Sequence, residues 1–292
     1  MRALIRKIYR AIPFKSPLMH AIRAIGTPPR AIYQRLHFVG PFNVKNAEGK
    51  TLRLHHYGTY LENNIFWTGL YGNFEGKSLE TWEKLCRRAK TIFDIGANTG
   101  VYALLAKLNR PDAKVFAFEP IPAVFRKLQA NAAANGFDVV CDPRAVSDAN
   151  GSAVIYLPEN EHLYSVTVNK NLNRPEIPVQ KLEVQTVRLT DFCREHAIEK
   201  VDLLKIDVET HEPEVLSGMQ EILIRDRPDM IVEILLDDVG RKVESILEGL
   251  DYAYFHIDEK HGLVRQQNLR GHEQSYNYLI CQPSTARALG LI

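Results

Sequence analysis

The stretch Thr91-Ile-Phe-Asp-Ile-Gly-Ala-Asn-Thr-Gly100 limits the folds open to this 292-residue chain more than any other. Ile92 and Phe93 make a short apolar run ending in Asp94, and Gly96 and Gly100 bracket the turn behind it. Val101 to Leu108 then has the apolar spacing of a helix. A buried strand ending in a carboxylate, a glycine turn and a helix start together form a cradle for a nucleotide-bearing cofactor.

Downstream of that turn, strand and helix patterns alternate. The spacing predicts strand 92–96, helix 99–109, strand 114–119, helix 121–135 and strand 138–141. A hairpin-like pair, 153–157 and 184–189, flanks a polar stretch and is followed by helix 190–197 and strand 201–207. A helical run 213–224, strand 230–235, helix 239–250 and strands 252–257 and 276–281 complete the set. Strands separated by helices imply an α/β fold, with a mostly parallel sheet covered by helices on both faces. Upstream, 42–55 alternates around Ala47-Glu-Gly49 as a β-hairpin does, and Ser78 to Arg88 reads as a helix with Ser78 at or near its cap. The division expected is a basic segment 1–40, a hairpin and helix 41–90, the main domain 91–283 and a tail 284–292. In the aromatic run 65–75, Trp67 and Tyr71 suit either core packing or substrate contact.

Charge is distributed unevenly. Nine of the 37 basic side chains precede Glu48, the first acidic residue, so the remainder carries 28 bases against 35 acids. Residues 1–26 read as basic amphipathic helix broken near Pro13 and Pro17, with Leu4, Ile5, Ile8, Ala11 and Ile12 on one face. Three readings stand side by side: a helix packed on the body, a helix lying on an anionic membrane surface, and an organellar transit segment. Cys86, Cys141, Cys193 and Cys281 form no CxxC pair, which points to a reducing, cytoplasmic setting, peripheral to the membrane if the second reading holds. No run reaches the roughly 18 apolar residues that a spanning helix needs.

The turn discriminates between cofactor classes. A dinucleotide site wants G-x-G-x-x-G, but Asn98 stands where the second glycine belongs and Gly100 is wrongly spaced. Asp94 at the strand end suits the ammonium of an amino-acid-bearing cofactor, with Gly96, Ala97, Asn98 and Gly100 letting backbone lie against it. Phe116-Ala-Phe-Glu119-Pro120 places a carboxylate about 20 residues beyond the turn, where it accepts ribose hydroxyls.

With these features the chain resembles the FkbM family of S-adenosylmethionine-dependent methyltransferases over roughly residues 60 to 280. The resemblance rests on Asp94-Ile-Gly-Ala-Asn-Thr-Gly100, Phe118-Glu-Pro120, Ala145-Val-Ser-Asp148, Leu203-Leu-Lys-Ile-Asp-Val-Glu209 and Glu212-Pro-Glu-Val-Leu-Ser-Gly218; Val232-Glu-Ile234 and Asn277-Tyr-Leu279 match weaker positions. It implies a class I methyltransferase (Rossmann-like) fold on a seven-stranded sheet, S-adenosylmethionine as cofactor, and methyl transfer to a hydroxyl. The acceptor implied is a sugar of a glycan or lipid-linked precursor, or a small natural product; a non-catalytic glycan- or membrane-binding module on the same fold is the alternative. Family members commonly carry glycine where Thr210 follows Glu209, which puts the loop's conformation in question.

A hydroxyl acceptor needs a proton acceptor or a metal. His211 is the candidate base, with Glu209 or Glu212 to orient it, against a plain capping role. Asp207 ends the fourth strand beside the cofactor, and Lys205 on the same face neutralises it, meets the acceptor or forms a structural ion pair. Asp207, Glu209 and Glu233, with Asp237 or Asp238, are the candidate Mg²⁺ ligands. Asp142 or Ser147 reaches the adenine. Nucleic acid is not the expected acceptor, because the body is acidic and the Asn/Asp-Pro-Pro-aromatic signature is missing.

Overall fold

The computed structural model describes residues 14–158 and 179–292. Residues 1–13 of the expected amphipathic helix and the polar stretch within the expected hairpin, 159–178, lie outside the described residues. The chain forms two compact units, Met1–Gly76 and Lys77–Ile292.

In the first unit, β1 (Val39–Lys45) and β2 (Thr51–Tyr57) pair antiparallel from Val39↔Tyr57 to Lys45↔Thr51. Strict alternation puts Phe42, Val44, Leu52, Leu54 and His56 inward, as period-2 patterning dictates. The helix Tyr60–Thr68 packs Phe66 on Phe38 at 4.7 Å between ring centroids. Trp67 is buried, with its ring stacked 6.3 Å from Tyr33, so it is a core residue. The Tyr71 hydroxyl accepts the Ala47 N–H at 2.9 Å and pins the hairpin turn. Pro17 does not break the helix Lys15–Ile25; it sits in its first turn, where the missing N–H does no harm.

The second unit is built on one mixed sheet. β3 (Thr91–Ile95), β4 (Lys114–Phe118) and β5 (Val139–Asp142) run parallel outward from the centre. β9 (Leu203–Ile206) and β10 (Asp229–Glu233) extend it in parallel on the other side of β3. β13 (Asn277–Cys281) pairs antiparallel with β10, and β11 (Ala253–Asp258) pairs antiparallel with β13. With an edge strand β12 (Gly262–Gln266), the order is β12-β11-β13-β10-β9-β3-β4-β5. The sheet therefore has eight strands, not seven. The additional one, β12, hairpins onto β11. A three-stranded sheet of β6 (Ala145–Val146), β8 (Val179–Val187) and β7 (Gly151–Pro158) stands beside it in sequence.

The strands form where they do because their apolar runs are buried on both faces; every residue of β3, β9 and β13 is buried. Phe93, Phe116, Phe118 and Phe192 interlock on one side, with Phe93–Phe116 at 4.9 Å and Phe118–Phe192 at 4.8 Å between centroids. The helical run 213–224 is two helices, Glu212–Ser217 and Gln220–Asp226, with the break at Met219 (φ −125°, ψ 21°) just after Gly218, which packs directly on the Ser147 carbonyl. The helix Gly76–Cys86 joins this unit and takes its cap from elsewhere: the Glu259 carboxylate accepts the Lys77 N–H at 2.7 Å, the Ser78 N–H at 3.2 Å and the Ser78 hydroxyl at 2.7 Å. Residues 284–288, expected as tail, belong to a short helix, Pro283–Ala288. Strand order reverses direction between β3 and β9, so the crevice at their carboxyl ends is the place where open α/β sheets bind ligands.

Candidate active site

The turn after β3 is held from three sides. The Phe118 carbonyl accepts the Gly96 N–H at 3.0 Å and the Ala97 N–H at 2.9 Å. Gly96 has φ +80°, and a Cβ there would run into the Asp207 carbonyl oxygen, so β3 and β9 touch through a residue that can only be glycine. Asn98 adopts φ +51° and donates its N–H to Glu119 Oε2 at 3.0 Å. Gly100, at φ +94°, donates to the Ala97 carbonyl at 2.8 Å and opens the helix Val101–Asn109.

Asp94 is 1% exposed, and its Oδ2 accepts the Ala103 N–H at 2.8 Å. The carboxylate satisfies an orphan amide of the first helical turn and locks strand to helix. Glu119 is 5% exposed and also accepts the Ile121 N–H through Oε1 at 2.9 Å. Burial pushes its carboxyl up to about 7, with Asp94 and Asp207 pushing the same way and the Ile121 and Asn98 amides opposing. Beside it, Pro120, Pro122, Pro143 and Arg144 line a cleft of about 550 Å³.

At the other side of the crevice, Lys205 is 1% exposed and donates to Asp207 Oδ2 at 3.1 Å and Asn277 Oδ1 at 3.0 Å. Its ammonium also lies 5.1 Å from the Tyr102 ring centroid. Asn277 in turn donates to the Ser78 hydroxyl at 3.1 Å. Lys205 is thus a buried counter-ion to Asp207, whose own side chain remains 28% exposed at the crevice. Glu233, next in the sheet, is held well above the carboxylate range by burial first and then by Asp207, with Lys205 opposing.

The loop 207–211 departs from expectation in its partners. Glu212 turns inward and accepts the Val208 N–H at 3.2 Å and the Thr210 N–H at 3.3 Å; burial lifts its carboxyl to about 8. It does not orient His211. That imidazole instead has Nε2 2.9 Å from the Ser147 hydroxyl and Nδ1 3.4 Å from Glu214 Oε2. Burial pulls the His211 pKa below its ordinary value, while Glu214 and Asp148 raise it. Glu214 went unseen in the sequence although its signal was there, an acid three residues on at a helix start. Ser147 is spent on His211 and Asp148, and Asp142 forms a bidentate pair with Arg144 at 2.7–3.2 Å; neither is free for an adenine in this arrangement. Among the described residues, no group of three or more His, Cys, Asp or Glu converges to hold a metal, so the geometry gives no support to Asp207, Glu209 and Glu233 as Mg²⁺ ligands. Asp237 accepts the Gly271 N–H at 2.9 Å, and Asp238 pairs with Arg241.

Glu209 and Thr210 both adopt left-handed backbone, φ +53° and +78°. The loop keeps the conformation that glycine would give and bears the strain on a β-branched residue. Such strain is of order 1–3 kcal/mol, against about 0.4–1 kcal/mol that glycine loses to unfolded-state freedom. Thr210→Gly is therefore expected to stabilise the protein by about 1 kcal/mol in urea unfolding. A destabilised variant would mean that the threonine side chain's contacts outweigh the strain.

A doubly wound sheet with a glycine turn, an acid at each neighbouring strand end and no phosphate-binding G-x-G-x-x-G defines a class I methyltransferase. The Methyltransferase FkbM domain model matches residues 94–262, more than half of the chain. The protein belongs to the FkbM methyltransferase family. It is 31% identical over 159 residues to the 31-O-demethyl-FK506 methyltransferase FkbM of Streptomyces tacrolimicus, covering 46% of this chain and 61% of that one. It is 33% identical over 191 residues to methyltransferase sdnD of Sordaria araneosa, covering 51% and 72%. It is 26% identical over 181 residues to the hexuronic acid methyltransferase AglP of Haloferax volcanii, covering 61% and 71%. Among the described residues no helix is long and apolar enough to cross a membrane.

Proposed function

We propose that this protein transfers the methyl group of S-adenosylmethionine to a hydroxyl oxygen of a sugar, in a glycan or its lipid-linked precursor. The observation that carries the reading is the meeting of three strand ends. Glu119 after β4 holds the Asn98 amide of the β3 turn, and Gly96 of that turn lies on the Asp207 carbonyl at the end of β9. The residues suit such a donor. A carboxylate has about four acceptor positions, and Glu119 uses two on backbone amides, which leaves capacity for two ribose hydroxyls. Asp207, part-exposed and backed by Lys205, offers an oxygen to the ammonium group. Asp94 serves by fixing the helix start rather than by direct contact. The sulfonium, when bound, supplies an electrophilic methyl group.

A hydroxyl sheds its proton as it becomes an ether, so a base must stand by. His211 is that base. Burial keeps the imidazole neutral at neutral pH, and Glu214 and Asp148 stabilise the cation once a proton arrives. Because Nε2 already meets Ser147 Oγ, the proton passes through the Ser147 hydroxyl. One relative is named for a 31-O-demethyl natural product and another for a hexuronic acid, which together favour an oxygen acceptor. The first name also supports a second reading, a natural-product hydroxyl.

Two measurements test this. The first is calorimetric titration with S-adenosylmethionine at several pH values. Ribose hydroxyls donate to an ionised Glu119, so binding must expel the proton that burial retains up to about 7. Affinity is expected to rise as pH climbs through 7, with proton release on binding, and Glu119→Gln should weaken binding and flatten the profile. The sign for stability is opposite: the carboxyl, raised above its unfolded value, costs the fold stability as pH rises toward 7. A pH-independent affinity sinks the Glu119 assignment. The second is incubation with labelled donor and a panel of hexoses, hexuronic acids and polyketide alcohols. Label in the polyketide alcohols alone selects the second reading, and label in none removes both.

A further inference from the structure

The helix Lys15–Ile25 has two apolar faces, and among the described residues only one of them is covered. Its inner face is seated on the β1–β2 hairpin: Met19 is 1% exposed, His20 Nε2 lies 3.2 Å from the Pro41 carbonyl, and Arg23 donates to the Asn43 carbonyl at 3.3 Å. Opposite stand Phe14 at its N-cap, 74% exposed, Leu18, Ala21 and Ile25, the last 92% exposed. At about 100° per residue these four positions fall within an arc of about 60°. Single exposed apolar residues need no explanation, but four aligned ones do.

The surface continues past the helix. Ile32 and Val39 are also exposed, and Phe14, Pro17 and Val39 line a cleft of about 460 Å³ with Lys15 and His37 at its polar side. No acidic residue occurs before Glu48, while Lys15, Arg30 and Arg35 lie within or next to the apolar surface in sequence. An apolar stripe in wholly basic surroundings is the pattern of a helix lying in the headgroup layer of an anionic bilayer. A protein partner of ordinary composition would not need the absence of acids along the whole stretch.

We infer that residues 14–39 form a membrane-docking surface for anionic lipid, in which Phe14, Leu18 and Ile25 enter the acyl boundary and the flanking lysine and arginines meet lipid phosphate. The inference stands apart from the methyl-transfer reading, since it draws on none of the active-site residues.

The test is co-sedimentation of the full chain with phosphatidylcholine vesicles that contain or lack phosphatidylglycerol. Pelleting is expected only with phosphatidylglycerol and should fall with added salt. Leu18→Glu with Ile25→Glu should reduce the partition coefficient by tenfold or more at unchanged thermal midpoint, because both positions are solvent-facing. Arg30→Gln should reduce it about fivefold, the factor for one basic residue at an anionic surface. Residues 1–13 stay in place throughout, so loss in these variants belongs to the described surface. Undiminished pelleting of the double variant, equal binding to pure phosphatidylcholine, or a dimer in sedimentation velocity that the double variant dissolves would each overturn the inference.

Discussion

Gly96→Ala is expected to abolish S-adenosylmethionine binding and to destabilise the sheet unit at the same time. Two independent penalties act on the same atom. The new Cβ must occupy space held by the Asp207 carbonyl oxygen, which is backbone and cannot swing aside. The residue must also keep φ +80°, where alanine is disfavoured by about 1–2 kcal/mol. Relief requires β3 and β9 to separate at their carboxyl ends. That motion would break the Asp207 N–H bond to the Ile95 carbonyl, 3.0 Å, and detach the turn from Phe118. A loss of several kcal/mol in urea unfolding is expected, at the upper end for single substitutions. Gly100→Ala makes the contrast: it shares the positive-φ penalty, at φ +94°, but its Cβ would press closely on Leu128 Cδ1 alone, the end of a movable side chain, with Leu104 at ordinary contact distance. A Gly96→Ala protein that binds the donor normally would show that the strand ends do not cooperate as described.

This explains why the sequence reads clearly at some places and poorly at others. The turn is legible because its requirements are local: apolar strand, acid, positive φ, helix start, all within ten residues. The Glu119 position is legible because the crossover helix has nearly fixed length, which puts the second strand end about 20 residues on. Side-chain pairing across the sheet obeys no such rule. Ser147 meets His211 across 64 residues, and Asn277 meets Lys205 across 72. Nothing in either local stretch announces the other. Asp142 shows a different failure: its partner Arg144 is two residues away, but their pairing depends on how the chain leaves β5. β12 escaped because a half-exposed edge strand, Gly-Leu-Val-Arg-Gln, lacks the apolar run that marks the central strands. The β3–β4 side of the crevice is therefore mostly pattern, and the β9–β10 side mostly tertiary contact.

That contrast makes Lys205 the residue whose removal is most informative. Its ammonium is buried among Asp207, Asn277 and the Tyr102 ring, and it links the end of β9 to Ser78 and through it to Glu259. Lys205→Met keeps the length and apolar stem but leaves Asp207 facing Glu233 and Glu209 with no buried cation between them. Breaking one side of such a pair costs about 3–5 kcal/mol when both groups are buried. Asp207 retains some water contact, so the lower end, about 3 kcal/mol, is expected here. Adding Asp207→Asn removes the stranded charge, and the double variant should recover part of that loss although both partners are gone. Donor binding should not recover with it, because the asparagine no longer offers a charged oxygen to an ammonium. Urea unfolding and calorimetry on the two variants therefore separate holding the site together from contacting the ligand. If the single variant unfolds like the wild type, the buried pair is not what fixes the end of β9. If the double variant binds the donor as tightly as the wild type, Asp207 is not its ammonium partner.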